Sequence, residues 1–94
     1  MSSVDDPLVI DITPFDMSMG EQHIENWKTL TGFLPTWCGL VTGGMASVVR
    51  ARLPMHEWCA ENCSGNWFVP EMFHGLVVFD THADAVKFKL SFQP

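Results

Sequence analysis

Residues 66–92, NWFVPEMFHGLVVFDTHADAVKFKLSF, hold most of the side chains from which a hydrophobic core can be built. Two runs in this stretch, Asn66–Val69 and His74–Phe79, are rich in aromatic and β-branched residues, a composition typical of strands. The four residues 70–73 join them. The sequence therefore predicts a pair of neighbouring strands in this part of the chain.

The end of the same stretch carries a helix start signal and then a change of period. Thr81 is followed three residues later by Asp84, a capping-box pattern that predicts one or two helical turns through Ala85. From Val86 onward, apolar and polar residues alternate up to Gln93. A period of two is typical of a strand, so the pattern predicts that the chain ends in one.

The first part of the chain predicts a strand followed by a helix. Residues 8–13 alternate between apolar and polar side chains and stop at Pro14, which is typical of a short edge strand. Ser18 and Glu21 match the capping-box pattern, and a helix is predicted from there to Gly32. Three apolar residues lie on one face of this helix at helical spacing: Ile24, Trp27 and Leu30.

The middle of the chain predicts a hairpin and a second helix. Trp37–Thr42 and Met45–Leu53 are β-prone runs, and the Gly43-Gly44 pair between them suits a two-residue turn. Pro54 is favoured at the first position of a helix, and Gly65 is expected to end that helix.

These elements together predict an α+β protein with a small antiparallel sheet and two or three short helices. Residues 45–94 give the order β-α-β-β-α-β, which is the split βαβ, or ferredoxin-like, arrangement with helices on one face of the sheet. Residues 1–44 would extend that unit by a strand and a helix. We expect a single domain over residues 1–94, because a chain of this length has room for one modest core.

Composition excludes several classes of protein. The chain is 47% hydrophobic with seven Phe and four Trp, which is typical of a folded globular protein rather than a disordered one. No apolar run approaches the roughly 20 residues that a membrane-spanning helix needs, and the MSSVDDP start lacks the features of a secretion signal. We expect a cytoplasmic protein that does not bind membranes. Its three cysteines are expected to be reduced.

The net charge of −6 comes entirely from the first quarter of the chain. Residues 28–94 carry five acidic and five basic side chains and are neutral as a whole. An acidic region argues against direct nucleic-acid binding, because phosphate recognition requires a basic surface. It serves either as a solubilising face or as a surface for a basic partner. The six acidic residues are Asp5, Asp6, Asp11, Asp16, Glu21 and Glu25.

The segment 58–92 contains the pattern W-C-x-x-N, then G-x-W, an aromatic strand and finally D-A-x-x-F-K-L. In this segment the chain resembles small uncharacterised proteins of tailed bacteriophages. The resemblance implies a phage origin and a shared small α+β unit. It does not imply an activity, because the pattern consists mainly of a turn glycine, core aromatics and a helix start. The matching residues are Trp58, Cys59, Asn62, Gly65, Trp67, Phe79, Asp84, Ala85, Phe88, Lys89 and Leu90.

One set of side chains has the chemistry of a zinc site: His56, Cys59, Cys63 and His74. The first three have the spacing i, i+3, i+7 and share one face of the predicted helix. However, no C-x-x-C knuckle is present, and cysteine strongly prefers the protein interior. We therefore expect no metal and no cofactor, with the two cysteines serving as small buried hydrophobes.

A thiol nucleophile can also be drawn from these residues, with Cys59 activated by His56 or His74 and the base oriented by Glu57 or Asp80. No phosphate-binding loop, paired carboxylates or nucleophile elbow accompanies it. We therefore expect that the protein is not an enzyme.

Aromatic residues provide the best candidates for binding a partner, because Trp is enriched at interface hot spots. Trp27 and Trp58 lie on apolar helical faces and are expected in the core. Trp37, Trp67 and Phe73 are the candidate anchors, together with the acidic residues Asp5, Asp6, Asp11, Asp16 and Glu21.

The expected function is that of a non-enzymatic phage accessory protein that binds a protein of the host cytoplasm and inhibits it. The alternatives are a structural subunit of the virion, for decoration or head completion, and a small zinc-binding module. A homodimer through the aromatic loop is left open.

Overall fold

The computed structural model of the protein describes residues 8–92 and contains one four-stranded antiparallel sheet with helices on both faces. The strand order is β1-β2-β4-β3. A short 3₁₀ helix, Met17–Met19, precedes α1. The elements are β1 (Val9–Pro14), α1 (Glu21–Thr31), β2 (Trp37–Thr42), α2 (Met45–Arg50), α3 (Arg52–Asn62), β3 (Trp67–Phe68), β4 (Leu76–Phe79) and α4 (His82–Ser91).

The main core lies between one face of the sheet and the helices α3 and α4. Val77 and Phe79 of β4 are fully buried there, against Phe88 of α4. Gly39 of β2 makes this packing close, since a Cβ at that position would lie 2.8 Å from Val77 Cγ1 and 2.9 Å from the Phe88 ring. The glycine therefore creates the space into which α4 packs. The buried members of this core are Val41, Ala51, Met55, Cys59, Val69, Val77, Phe79, Ala85, Phe88 and Phe92.

The other face of the sheet carries a smaller core covered by α1. Phe15, Cys38 and Val78 are its buried residues, with Trp27, Phe33, Phe68 and Leu76 packed partly against them. None of the residues of α1 is fully buried. The sheet is thus tightly covered on one face and loosely covered on the other.

The α+β class and the small antiparallel sheet are confirmed. Strand β1 lies at an edge of the sheet and β3 pairs with β4, both as predicted. The partner of β2 on that side is β1 rather than residues 45–53. Gly32 ends α1 in the left-handed conformation, with φ of 84°.

The prediction of a hairpin after Gly43-Gly44 is wrong, because residues 45–50 form α2 rather than a strand. Val48, Ala51, Met55 and Cys59 recur every three or four residues, and all four are buried. This stripe spans α2 and α3, and its residues from Ala51 onward belong to the main core. Helix α3 begins at Arg52, two residues before the predicted start at Pro54. It ends at Asn62, before the predicted end at Gly65.

The prediction of a final strand is also wrong, because the helix that begins after Thr81 continues through Ser91. Helical spacing brings Ala85, Phe88 and Phe92 to one buried face, while Leu90 is 75% exposed. The alternation of Val86–Gln93 is compatible with a helix as well as a strand, because two of its four apolar residues, Phe88 and Phe92, lie on the helical stripe. The order after residue 44 is therefore α-α-β-β-α, in place of the predicted β-α-β-β-α-β.

The predicted cap at Ser18 is wrong as well. The N-terminal cap of α1 is Gly20, which makes no side-chain hydrogen bond. Ser18 lies instead in the 3₁₀ helix, where its N–H and hydroxyl both donate to Asp16 Oδ1, at 2.9 and 2.6 Å. The predicted cap at Thr81 is found, with Thr81 Oγ1 accepting from the Asp84 N–H at 3.2 Å.

Candidate protein-binding surface

Helix α1 is attached to the sheet mainly through aromatic side chains. Its Trp27 meets Phe15 edge to face, with ring centroids 5.4 Å apart, and its His23 stacks on the same ring at 6.0 Å. Because these rings are only partly covered, α1 keeps an accessible aromatic side. That side faces the loop between β3 and β4.

A groove with a volume of about 350 Å³ lies between α1 and this loop. Phe73 of the loop stacks on Trp27, with ring centroids 6.2 Å apart and ring planes 21° from parallel. Met72 and Phe73 are nevertheless 65% and 47% exposed. We call this the aromatic groove; it is lined by His23, Asn26, Trp27, Leu30, Met72 and Phe73.

A second cleft, with a volume of about 420 Å³, adjoins the aromatic groove and shares Leu30 and Met72 with it. One charged pair lies in this cleft, with Arg52 Nη2 3.7 Å from Glu71 Oε1. The His56 ring meets the Trp67 ring edge to face at 4.8 Å. We call this the arginine cleft; its remaining lining residues are Phe68 and Val69.

The sequence-predicted aromatic anchors lie in different places. Phe73 lines the aromatic groove and Trp67 lines the arginine cleft. Trp37 lies on the main-core face of the sheet, packed against that core, and its ring is 4.3 Å from the His82 ring. It contributes to neither depression.

The acidic residues are not brought together at these depressions. Asp5 and Asp6 lie outside the described residues. Asp11 of β1 pairs with Lys89 of α4 at 3.4 Å. Glu21, together with Glu25, lines a separate depression beside Ile24, which helical geometry puts on the side of α1 turned from the aromatic groove.

Asp16 has a local structural role at the start of the 3₁₀ helix. The Ser18 hydroxyl and the Ser18 N–H hold the pKa of this carboxyl below its ordinary value, and the nearby His23 adds to the effect. These contacts stabilise the ionised form of an exposed carboxylate. Asp16 therefore fixes the turn that leads into α1.

Sequence reasoning missed three residues that define the depressions: Trp27, Leu30 and Arg52. Trp27 was expected in the core, but it is only half-buried because α1 covers the sheet loosely. The apolar stripe of α1 predicts that these side chains face inward. It contains no information about how completely the neighbouring loop will cover them.

The four residues of the zinc hypothesis are not gathered into a site. Cys59 is fully buried and lies near Cys63, whereas the exposed His56 packs on Trp67 and His74 lies in the exposed β3–β4 loop. Over residues 8–92, no group of three or more His, Cys, Asp or Glu side chains has an arrangement that could hold a metal ion.

The Cys59 thiol is in an environment that disfavours its reactive form. Its hydrogen bond with Cys63, its burial and the neighbouring Asp84 charge all raise the pKa of the Cys59 thiol. Burial likewise raises the pKa of Cys38 to about 11. A thiol is nucleophilic as the thiolate, so neither cysteine is activated for attack.

Three residues of the 58–92 pattern, Asn62, Gly65 and Asp84, lie at a junction between α3, β3 and α4. The buried carboxylate of Asp84 accepts hydrogen bonds from the N–H groups of Ser64 and Gly65, at 3.0 and 2.8 Å. A Cβ on Gly65 would collide with the carboxylate of Asp80, so the turn requires glycine. Lys87 closes the junction by donating to the carbonyl of Asn62 at 2.7 Å. Gly65 and Asp84 of the pattern therefore have structural roles.

Among the helices within residues 8–92, none has the length and apolar character to cross a membrane. Compared with protein-family models, with curated proteins and with solved structures, the chain has no match in any of the three.

Proposed function

We propose that this protein is a non-enzymatic accessory protein that binds another protein through the aromatic groove. The observation that carries the proposal is the Trp27–Phe73 stack, which lies open at the surface beside the exposed Met72 and Leu30. Exposed, contiguous apolar side chains are typical of sites where a protein partner binds. Trp is also among the residues that contribute most to binding energy at interfaces.

The partner segment that fits this groove is apolar in the centre and basic at its ends. The described part of the groove contains no cationic side chain, while the exposed Glu71 lies next to Met72 at its edge. Glu21 and Glu25 lie on the far side of α1. Their effect at the groove is weak, because the helix is about 10–12 Å thick and the screening length at physiological salt is about 8 Å.

In this proposal the partner is a protein of a bacterial host cytoplasm, and binding inhibits it. The basis is the resemblance of residues 58–92 to small tailed-phage proteins. A small chain that covers a functional surface of a host protein needs no catalytic residue of its own. The acidic charge then speeds association with a basic surface and disfavours wrong partners.

The test compares the tagged wild-type protein with the double variant Met72→Ser/Phe73→Ser, both produced in the bacterial host. The protein captured by the wild type is identified, purified and used to measure the Kd of the reconstituted complex. If both side chains act as interface hot spots, the double variant weakens the Kd by roughly 30-fold or more. Leu90→Ser is the matched control, since Leu90 is also exposed but lies on α4.

Three outcomes would overturn the proposal. An unchanged Kd in the double variant, or an equal loss in Leu90→Ser, would exclude the aromatic groove as the interface. Detection of the protein at fixed stoichiometry in purified phage particles would favour the virion subunit. A concentration-dependent dimer that the double variant abolishes would show that the groove binds a second copy of the chain.

A further inference from the structure

The arginine cleft contains a buried hydrogen-bond donor that has no acceptor within the described part of the chain. Arg52 lies at the start of α3, where its side chain is 36% exposed, but its Nε is buried. No oxygen or nitrogen atom in residues 8–92 accepts a hydrogen bond from this Nε–H. A buried donor without a partner costs free energy, so its presence in a cleft requires an explanation.

Glu71 does not provide the missing acceptor. Its carboxylate approaches the adjacent Nη2 at 3.7 Å, which is too long for a hydrogen bond, and its side chain is 90% exposed. An exposed ion pair of this length is weak. Among residues 8–92, the buried Nε of Arg52 and its neighbour Nη2, which are the two donors on one edge of the guanidinium, therefore have no strong acceptor.

This edge of a guanidinium matches a carboxylate. Two parallel N–H donors bind the two oxygens of a carboxylate in a bidentate arrangement, and such charge-assisted bonds are stronger than neutral ones. The rest of the cleft is mostly apolar, with Leu30, Trp67, Phe68, Val69 and Met72 on its walls. An apolar pocket with one well-placed polar group is the usual form of a small-molecule site.

We propose that the arginine cleft binds a small organic carboxylate with a flat, apolar body. The carboxylate pairs with Nε and Nη2 of Arg52, and the apolar body lies among Trp67, Phe68 and Met72. The volume of about 420 Å³ is within the range for small ligands, roughly 300–1,000 Å³. This site is adjacent to the aromatic groove, but the inference does not depend on the proposed function.

The first experiment uses 2-naphthoate as the probe and 2-naphthamide as its neutral analogue. Binding to the full chain is followed by calorimetry and by NMR shifts of the Arg52 Nε–H and the Trp67 indole N–H. We expect the naphthoate to bind at least tenfold more tightly than the amide, with both signals shifted. Equal affinities, or shifts that omit Arg52, would overturn the proposal.

Two substitutions, Arg52→Gln and Glu71→Gln, then test the roles of the two charged side chains in the cleft. Arg52→Gln removes the donor pair and is expected to weaken naphthoate binding by roughly 10- to 100-fold. Arg50→Gln is the matched control, because Arg50 is exposed on α2 and does not line the cleft. An equal effect of the two substitutions would show that only the net charge matters and would overturn the site.

Glu71→Gln provides a test that does not depend on the folding of the Arg52 variant. Glu71 is exposed, so its replacement leaves the fold intact. Removing its charge also removes a carboxylate that competes for Arg52, and we expect tighter naphthoate binding by a few-fold. Weaker binding in this variant would contradict the proposed arrangement.

Discussion

The two faces of the sheet differ in how completely they are covered. On the face of α3 and α4, Met55, Val77 and Phe88 are fully buried. On the face of α1, the helix contributes no fully buried residue and its aromatic side chains remain accessible. The proposed binding groove therefore lies apart from the residues that form the main core, and mutations on the two faces should have different consequences.

The largest expected difference in stability is between two variants that each lose one Phe, one on each face of the sheet. Phe88→Ala leaves a cavity among Phe79, Trp58 and Phe92, and we expect it to lower the free energy of unfolding by about 3–5 kcal/mol. Phe73→Ala removes a half-exposed ring, and we expect a loss of about 1 kcal/mol or less. Urea denaturation followed by circular dichroism measures both. Similar losses in the two variants would contradict the comparison.

A second prediction concerns the junction that belongs only to the tightly packed face. Asp84→Asn replaces one carboxylate oxygen by an NH2 group, so the buried side chain can no longer accept from both the Ser64 and the Gly65 N–H. We expect a cost of about 2 kcal/mol, which is typical for an unsatisfied buried group. The same measurement on Asp80→Asn gives a control, because Asp80 accepts from Asn66 in a more exposed position. A larger loss at Asp80 would show that the junction does not centre on Asp84.

The third prediction is the pH dependence of this junction. Burial raises the pKa of Asp84, but the N–H groups of Ser64 and Gly65, the Thr81 contact and the Lys87 charge together hold it below its ordinary value. The folded pKa is thus lower than the unfolded one, so the unfolded chain binds the proton more tightly. The stabilisation is complete above the unfolded pKa of about 4 and is lost as the pH falls through the folded pKa. We expect the stability difference between wild type and Asp84→Asn to shrink in acid; a constant difference down to pH 2 would contradict it.

The smallest predicted changes in stability concern the two helix starts whose sequences match the capping-box pattern. Thr81→Ala should cost about 1 kcal/mol, because its hydroxyl satisfies the Asp84 N–H at the start of α4. Ser18→Ala should cost much less, because its exposed hydroxyl only adds a second bond to Asp16, while the Ser18 N–H keeps its own. Melting temperatures of the two variants provide the measurement. A larger effect at Ser18 would mean that the 3₁₀ turn fixes α1 more strongly than its loose packing indicates.

The strands could be predicted from the sequence, whereas two of the helices could not. Residues 8–13 alternate because β1 alternates between more and less exposed positions, whereas the apolar run around Val78 indicates a strand that is buried on both faces. In contrast, Met45–Arg50 contains two adjacent Val residues that favour a strand, and its helical conformation buries Val48 in the folded protein. At 86–91, the alternating pattern and the helical stripe share Phe88, so local periodicity alone could not distinguish them.

The candidate site was predictable only in part, for a related reason. Phe73 and Trp67 are predicted anchors as loop and strand-start aromatics, and both line depressions: Phe73 the aromatic groove beside α1, and Trp67 the arginine cleft beside α3. Trp37 has a similar sequence context, but its strand lies inside the sheet, between β1 and β4. Exposure depends on strand order, and strand order is set by contacts between distant parts of the chain.

The pairing of the first strand with the last helix has a consequence for how the protein is made. Ile10 and Ile12 pack against the core that contains Phe88 and Phe92, and Asp11 contacts Lys89, 78 residues later. At synthesis rates of about 5–20 residues per second, β1 waits roughly 4–16 s for α4 to follow it. During that interval its apolar residues lack their final partners. A nascent chain of this protein is therefore a candidate for chaperone binding until α4 has left the ribosome.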